Sequence, residues 1–149
     1  MNTRQNIVIE DSLDQISNIR YRDYLCHAFC HEGYAVFNYN DRTHKLSKGN
    51  CMIIPGRTDL ISILKTSRDF HTEAIYITQE FIDLATPPSN YGTRGHLSLF
   101  ENPVMKLAPE QQRQCAENFS NIRRRLAQTQ HNFQRDVLVC AVQTMILDF

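Results

Sequence analysis

The sequence has no excess of charge of either sign: its 149 residues carry 16 Lys and Arg against 16 Asp and Glu. Nucleic-acid affinity normally needs a basic footprint, so this balance argues against DNA binding by these residues alone. Long apolar runs are missing too. No window approaches the ~18 apolar residues of a membrane span, and the Met1–Ile9 start is polar without an apolar signal region, so neither membrane insertion nor export is indicated. A cytoplasmic protein is expected. Five cysteines make an odd set, which fits reduced thiols of a cytosolic chain better than a disulfide framework. Glycine is scarce, and Gly49, Gly56, Gly92 and Gly95 assemble no phosphate-cradling loop. His44, His71, His96 and His131 are scattered, none beside a Ser or Cys in a nucleophile motif, so no catalytic constellation is found.

What is present has the size of one domain with one core. Up to about residue 100 the apolar residues come in strand-length runs rich in aromatic and β-branched side chains: Leu25–His31, Tyr34–Tyr39, Cys51–Ile54, Leu60–Leu64 and Phe70–Ile77. Asn40-Asp41, Lys48-Gly49-Asn50, Pro55-Gly56-Arg57 and Ser67-Arg68-Asp69 separate them with turn chemistry. Short strands at near-regular spacing, joined by hairpin-length turns, predict a mainly antiparallel sandwich or barrel.

The period then changes. Thr78 suits the cap of a short helix with Phe81, Leu84 and Ala85 on its apolar face, ended by Pro87-Pro88, and SNYGTRGH is read as a loop. From Ala108 the stripe Cys115, Phe119, Ile122 and Leu126 recurs at spacings of four, three and four. A second helix, Phe133–Phe149, is apolar around most of its circumference, more than one packing side can hold, so a partner subunit is expected on it. The chain stops inside this helix with no Gly, Pro or polar cap, and it is expected to be the front part of something longer.

Two charged or ligand-rich stretches favour plain readings. CHAFCHE, Cys26–Glu32, would need a helix to bring its ligands together. Its neighbours Tyr24, Leu25, Phe29 and Gly33 read as strand, where residues four apart lie about 13 Å from each other, beyond any single zinc ion. Arg123-Arg124-Arg125 fans across about 200° of a helix, too wide for one phosphate backbone, and reads as a solvated face.

The order of strand, Gly33, aromatic strand, Gly49-Asn50, CMIIP, turn, apolar strand, FHTEAIYIT, short helix and two long helices resembles the N-terminal effector and dimerisation domain of AraC-type transcription regulators, over roughly residues 20–149. The resemblance implies a fold that is mainly β with α: a cupin-like β-barrel (double-stranded β-helix) with a short helix over residues 1–100, then a helical hairpin over 108–149, together one sensor domain. In cupins a Gly, five residues and a Pro often lead into a Gly and a metal-binding His. Gly49 and Pro55 keep that spacing, but Arg57 stands at the Gly and Leu60 at the His. Counting back from Gly33 puts Cys26 at the Glu ligand, with Arg22 or Tyr21 and Arg20 or Ile19 at the two His positions. All four ligands are replaced, which implies a barrel kept for binding, with no metal and no cofactor.

The function implied is the sensing half of a transcription factor, without catalysis. It binds a small effector, a sugar or small metabolite, pairs with a second copy, and reaches DNA only through a helix-turn-helix domain expected beyond residue 149. Two rival readings stand beside it. A cupin enzyme such as a sugar isomerase needs the absent ligands. A cyclic-nucleotide-type sensor β-roll needs Gly-Glu near an Arg, whereas Glu32-Gly33 is reversed and no Arg follows before Arg42. Alternation puts Cys26, Ala28 and Cys30 on one strand face and Ala35, Phe37 and Tyr39 on the next. Pointing inward, Cys26, Phe37 and Tyr39 with Leu60 are expected to line an effector pocket, unless the interior is filled by its own side chains. If Val137, Cys140 and Ala141 face the barrel and first helix, Leu138, Val142, Met145 and Phe149 form the homodimer interface.

Overall fold

Asn40 and Asp41 both take positive φ, 52° and 62°, the backbone of a two-residue turn whose twist matches that of the strands it joins. They connect β3 (Tyr34–Tyr39) to β4 (Arg42–Ser47), paired from Tyr34 with Ser47 to Tyr39 with Arg42. In the computed structural model, which describes residues 5–86, 99 and 101–148, the other strands are β1 (Ile7–Glu10), β2 (Tyr24–Glu32), β5 (Cys51–Ile54), β6 (Ser62–Thr66), β7 (His71–Thr78) and β8 (Val104–Met105). They form a five-stranded sheet in the order β1-β7-β2-β5-β8 and a three-stranded sheet in the order β4-β3-β6, and every pairing is antiparallel. Among the described residues no ladder joins the two sheets into a closed barrel. The described residues thus form a β-rich, antiparallel fold joined by helices, and the closed barrel expected from the sequence opens into two facing sheets.

The sheets meet at a corner around Gly33, whose φ of +72° lies in the region that favours glycine. A Cβ there would also come within 2.8 Å of the Phe70 Cα and collide with the Ser67 side chain. Arg57, at the position where the cupin pattern has glycine, takes the same left-handed backbone with φ 54°. Its guanidinium forks onto both carboxylate oxygens of Asp59 at 3.0 Å, which secures a conformation costly to an ordinary residue.

α1 (Gln79–Ala85) begins where Thr78 Oγ1 accepts the Phe81 N–H at 3.2 Å, the expected cap. Pro87-Pro88, the SNYGTRGH segment and Phe149 lie outside the described residues. α2 (Pro109–Ala127) starts with Pro in its first turn, and Gln111 reaches back to accept the Ala108 N–H at 2.9 Å. The Gln134 side-chain amide donates to the carbonyls of Arg125 and Leu126, both at 3.1 Å. That bond satisfies the end of α2 from the start of α3 (Gln134–Leu147) and closes the hairpin.

β2 has a core on each side. Cys26, Ala28 and Cys30 point between the sheets, among Phe37, Tyr39, Leu46 and Tyr76. Leu25 and Phe29 point the other way, to Phe81, Phe119, Ile122 and Val142 of the helices. The period-2 alternation of the strand thus sorts its side chains into two apolar layers.

Candidate functional site

The opening between the sheets is a groove of about 820 Å³, within the range of small-molecule sites. Its walls are the segment 11–17, which follows β1, together with β6 and the turn leading into β7. Leu13 and Ile16 are almost fully buried and supply an apolar floor with Ile61, Ile63 and Phe70. Ser17 Oγ donates to the Ile61 carbonyl at 2.8 Å and fastens the segment there.

Polar groups ring this floor: Asp11, Asp14, Asp59 and Arg68, with Ser and Thr hydroxyls. Hydrogen bonds from Arg57 hold the Asp59 carboxyl below its ordinary value, so the rim keeps a carboxylate. Carboxylates and hydroxyls above an apolar bed can accept and donate hydrogen bonds to a polyhydroxylated ligand lying against Phe70.

The rim is also tied to the helices. Arg123 of α2 places Nη2 2.7 Å from Asp11 and 2.6 Å from Glu73 of β7. Glu73 in turn meets His31 Nε2 at 2.6 Å, and the His31 ring stacks on His71 with centroids 5.1 Å apart. The arginine run read as a solvated face is therefore divided. Arg124 bonds its own helix at Asn121, whereas Arg123 crosses to the sheet. The sequence held no signal for this, because the partners are 112 and 50 positions away.

Of the four residues expected to line the effector pocket, the structure brings three together. Cys26, Phe37 and Tyr39 are all fully buried in the layer between the sheets. That layer is filled by its own side chains: Tyr21 stacks on Tyr76 at 3.9 Å, and the Tyr39 hydroxyl donates to the Gly56 carbonyl at 3.0 Å. Burial pushes the Tyr39 phenol up to about 12 and the Cys26 thiol well above its usual value. Leu60 is apart from them and 47 % exposed. The run Leu60–Leu64 is not one strand: Thr58–Leu60 is a short 3-10 turn, β6 begins at Ser62, and Ile61 is the residue that turns inward.

CHAFCHE is strand, as its neighbours required, with its cysteines facing one layer and its histidines the other. Among the described residues no group of three or more His, Cys, Asp or Glu is placed to hold a metal ion, and no helix is long and apolar enough to cross a membrane.

The residues expected at a dimer interface divide differently from the sequence reading. Leu138, Val142 and Met145 are buried in the chain's own core against α1 and α2. The open face of α3 carries Phe133 at its start, 63 % exposed, the half-buried Val137, then Cys140, and Leu147, 65 % exposed. These positions recur at helical spacing on one side.

No family model and no curated protein matches the sequence. Solved structures do match. The crystal structure of the AraC-like transcriptional activator CuxR aligns with a TM-score of 0.56 at 11% identity, over 95% of this chain and 47% of that one. At this identity the likeness is one of fold, and the chain spans about half the length of the protein it matches.

Proposed function

We propose that the chain is the effector-sensing and dimerising part of a transcription regulator of the AraC type, and that it carries out no catalysis. The observation that supports this best is the fold likeness to an AraC-like activator over nearly the whole chain, confined to about half of that protein. In this reading the two facing sheets are an opened form of the cupin-like double-stranded β-helix. The groove beside Leu13, Ile16 and Phe70 takes a sugar or a similar small polar metabolite in the cytoplasm. The packed interior around Cys26, Phe37 and Tyr39 supports that groove without admitting the ligand.

Two copies pair through the face Phe133, Val137, Cys140 and Leu147 of α3. DNA contact belongs to another part of the regulator. An effector changes the output only if it binds one arrangement of the pair better than another, and Asp11 is where it can do so. A ligand hydroxyl or amine that engages the Asp11 carboxylate competes with Arg123, the cation that ties α2 to the groove.

The test is a thermal-shift titration with a panel of sugars and polyols, on the wild type and on Ser62→Trp, whose indole fills the groove. The reading expects a compound that raises Tm in the wild type and not in the variant, together with a dimer by light scattering. A monomer at ~100 μM, well above the Kd of a regulator whose paired form is stable at micromolar concentration, with no compound active, would sink it.

A further inference from the structure

His27 is 2 % exposed and points from β2 toward the helices, where its ring meets Phe119 edge-on at 5.2 Å. Its Nε2 lies 3.8 Å from the Sγ of Cys115 on α2. Cys51, the first residue of β5, is registered opposite Phe29, on the same helix-facing side of the sheet as His27, and shares one buried cluster with Cys115 and Phe119. Two fully buried thiols and an imidazole thus meet where β2, β5 and α2 touch, away from the groove and from the open face of α3. An apolar filler would suit that position without the desolvation penalty of a polar ring. The arrangement is instead that of an attacking thiol, a resolving thiol and a base.

We propose that Cys51 and Cys115 are a redox-active pair, which a peroxide closes into a disulfide joining β5 to α2. The hydrogen bond with Cys115, and then those with His27, draw the Cys51 thiol well below the usual thiol range, and the same contact pushes Cys115 up. Of the two, Cys51 is the thiol favoured to give up its proton and attack. Both sulfurs are closed to solvent, so peroxide reaches them through transient local opening of the packing around the pair. The Cys51 thiolate attacks one oxygen of hydrogen peroxide, the O–O bond breaks, and the departing hydroxide takes up the proton released earlier, leaving as water. Cys115 then attacks the sulfenic sulfur. The S–S bond forms, the S–O bond breaks, and the leaving hydroxyl carries off the Cys115 proton as a second water. Two thiols lose two electrons and one peroxide becomes two waters. Cys26 and Cys30 face the opposite layer, where the Cys30 thiol donates to the Glu32 carbonyl at 3.3 Å and burial raises it to about 11.

Hydrogen peroxide treatment of the full chain at neutral pH tests this, followed by acid quenching, unfolding, alkylation and peptide mass mapping. The expected product is a cross-linked pair of peptides carrying Cys51 and Cys115, absent after dithiothreitol, while Cys26 and Cys30 stay alkylated. His27→Phe keeps a ring against Phe119 and should slow closure about tenfold at pH 7, where a thiol of ordinary pKa is only a few per cent ionised. Recovery of both Cys51 and Cys115 in alkylated form, at a dose that fully oxidises the exposed Cys140, overturns the proposal. So does equal closure in the wild type and His27→Phe.

Discussion

The guanidinium of Arg123 lies 2.7 Å from the carboxylate of Asp11, joining residues 112 positions apart in the chain. The same nitrogen holds Glu73 at 2.6 Å, so one side chain of α2 grips both a wall of the groove and the adjoining sheet. Arg123→Ala should therefore loosen the segment 11–17 more than it unfolds the protein. The stability loss expected is about 1 kcal/mol, because both pairs are partly exposed. Hydrogen exchange at the Ile16 amide, bonded to the Leu13 carbonyl at 3.1 Å, should quicken while the exchange of β2 stays unchanged. Equal acceleration in both places would mean that Arg123 serves only global stability.

The two sides of α3 should respond to charge in opposite ways. Val142 is fully buried, and Val142→Asp should cost several kcal/mol and unfold the chain, since a buried unpaired carboxylate has nothing to offset its desolvation. Phe133→Glu with Leu147→Lys should leave the circular dichroism intact and convert a dimer to monomers. Light scattering and urea titration of both variants separate the two faces. A Phe133→Glu, Leu147→Lys dimer undiminished at micromolar concentration would move the pairing surface elsewhere.

Gly33 should tolerate no side chain. Its φ is +72°, and a Cβ would crowd the Phe70 backbone at 2.8 Å, so Gly33→Ala combines a strained backbone with a close approach. A loss of at least about 1–3 kcal/mol is expected. Gly56, with open space around its Cα, should accept alanine at little cost. Urea midpoints for the pair decide the matter.

Alkaline pH should weaken the fold before the tyrosines have titrated. Burial raises both Tyr21 and Tyr39 from 10.0 to about 12, with the hydrogen bond to Glu10 adding to the effect at Tyr21. These phenols stay protonated in the folded chain at a pH where the unfolded chain has already released its protons. Their contribution is thus complete below pH 10 and is lost as pH rises toward 12. Urea midpoints at pH 9 and pH 11, with phenolate absorbance on the same samples, should show a falling midpoint and a delayed titration. Phenylalanine at Tyr39 should remove part of that pH dependence.

Much of the fold was legible from runs and turns. The strands around Cys26, Phe37 and Tyr76 stand out as strand-length runs rich in aromatic and β-branched residues, and Asn40-Asp41 and Thr78 mark the ends that the structure uses. β4 escaped notice because RTHKLS has one buried position, Leu46, and its strand character comes from pairing with β3. β1 escaped for a related reason: its place at the sheet edge is fixed by β7, seventy residues away in register. The burial of Leu138, Val142 and Met145 within their own chain was not legible, because a helix apolar on most sides does not reveal which side its own chain covers. The groove was the least legible of all. Its floor comes from Leu13 and Ile16 in a segment without periodicity, and its position depends on Ser17 reaching Ile61.

The two-sidedness of β2 has an evolutionary consequence. A deletion of one residue at its start, ahead of Leu25, with the pairing register otherwise kept, would turn Cys26, Ala28 and Cys30 toward the helices and send Leu25, His27 and Phe29 into the space beside Phe37 and Tyr39, exchanging the contents of both layers at once. No single compensating substitution restores that arrangement. The β3–β4 hairpin, whose second strand buries only Leu46, can change length without such an exchange, but the span from Tyr24 to Gly33 cannot.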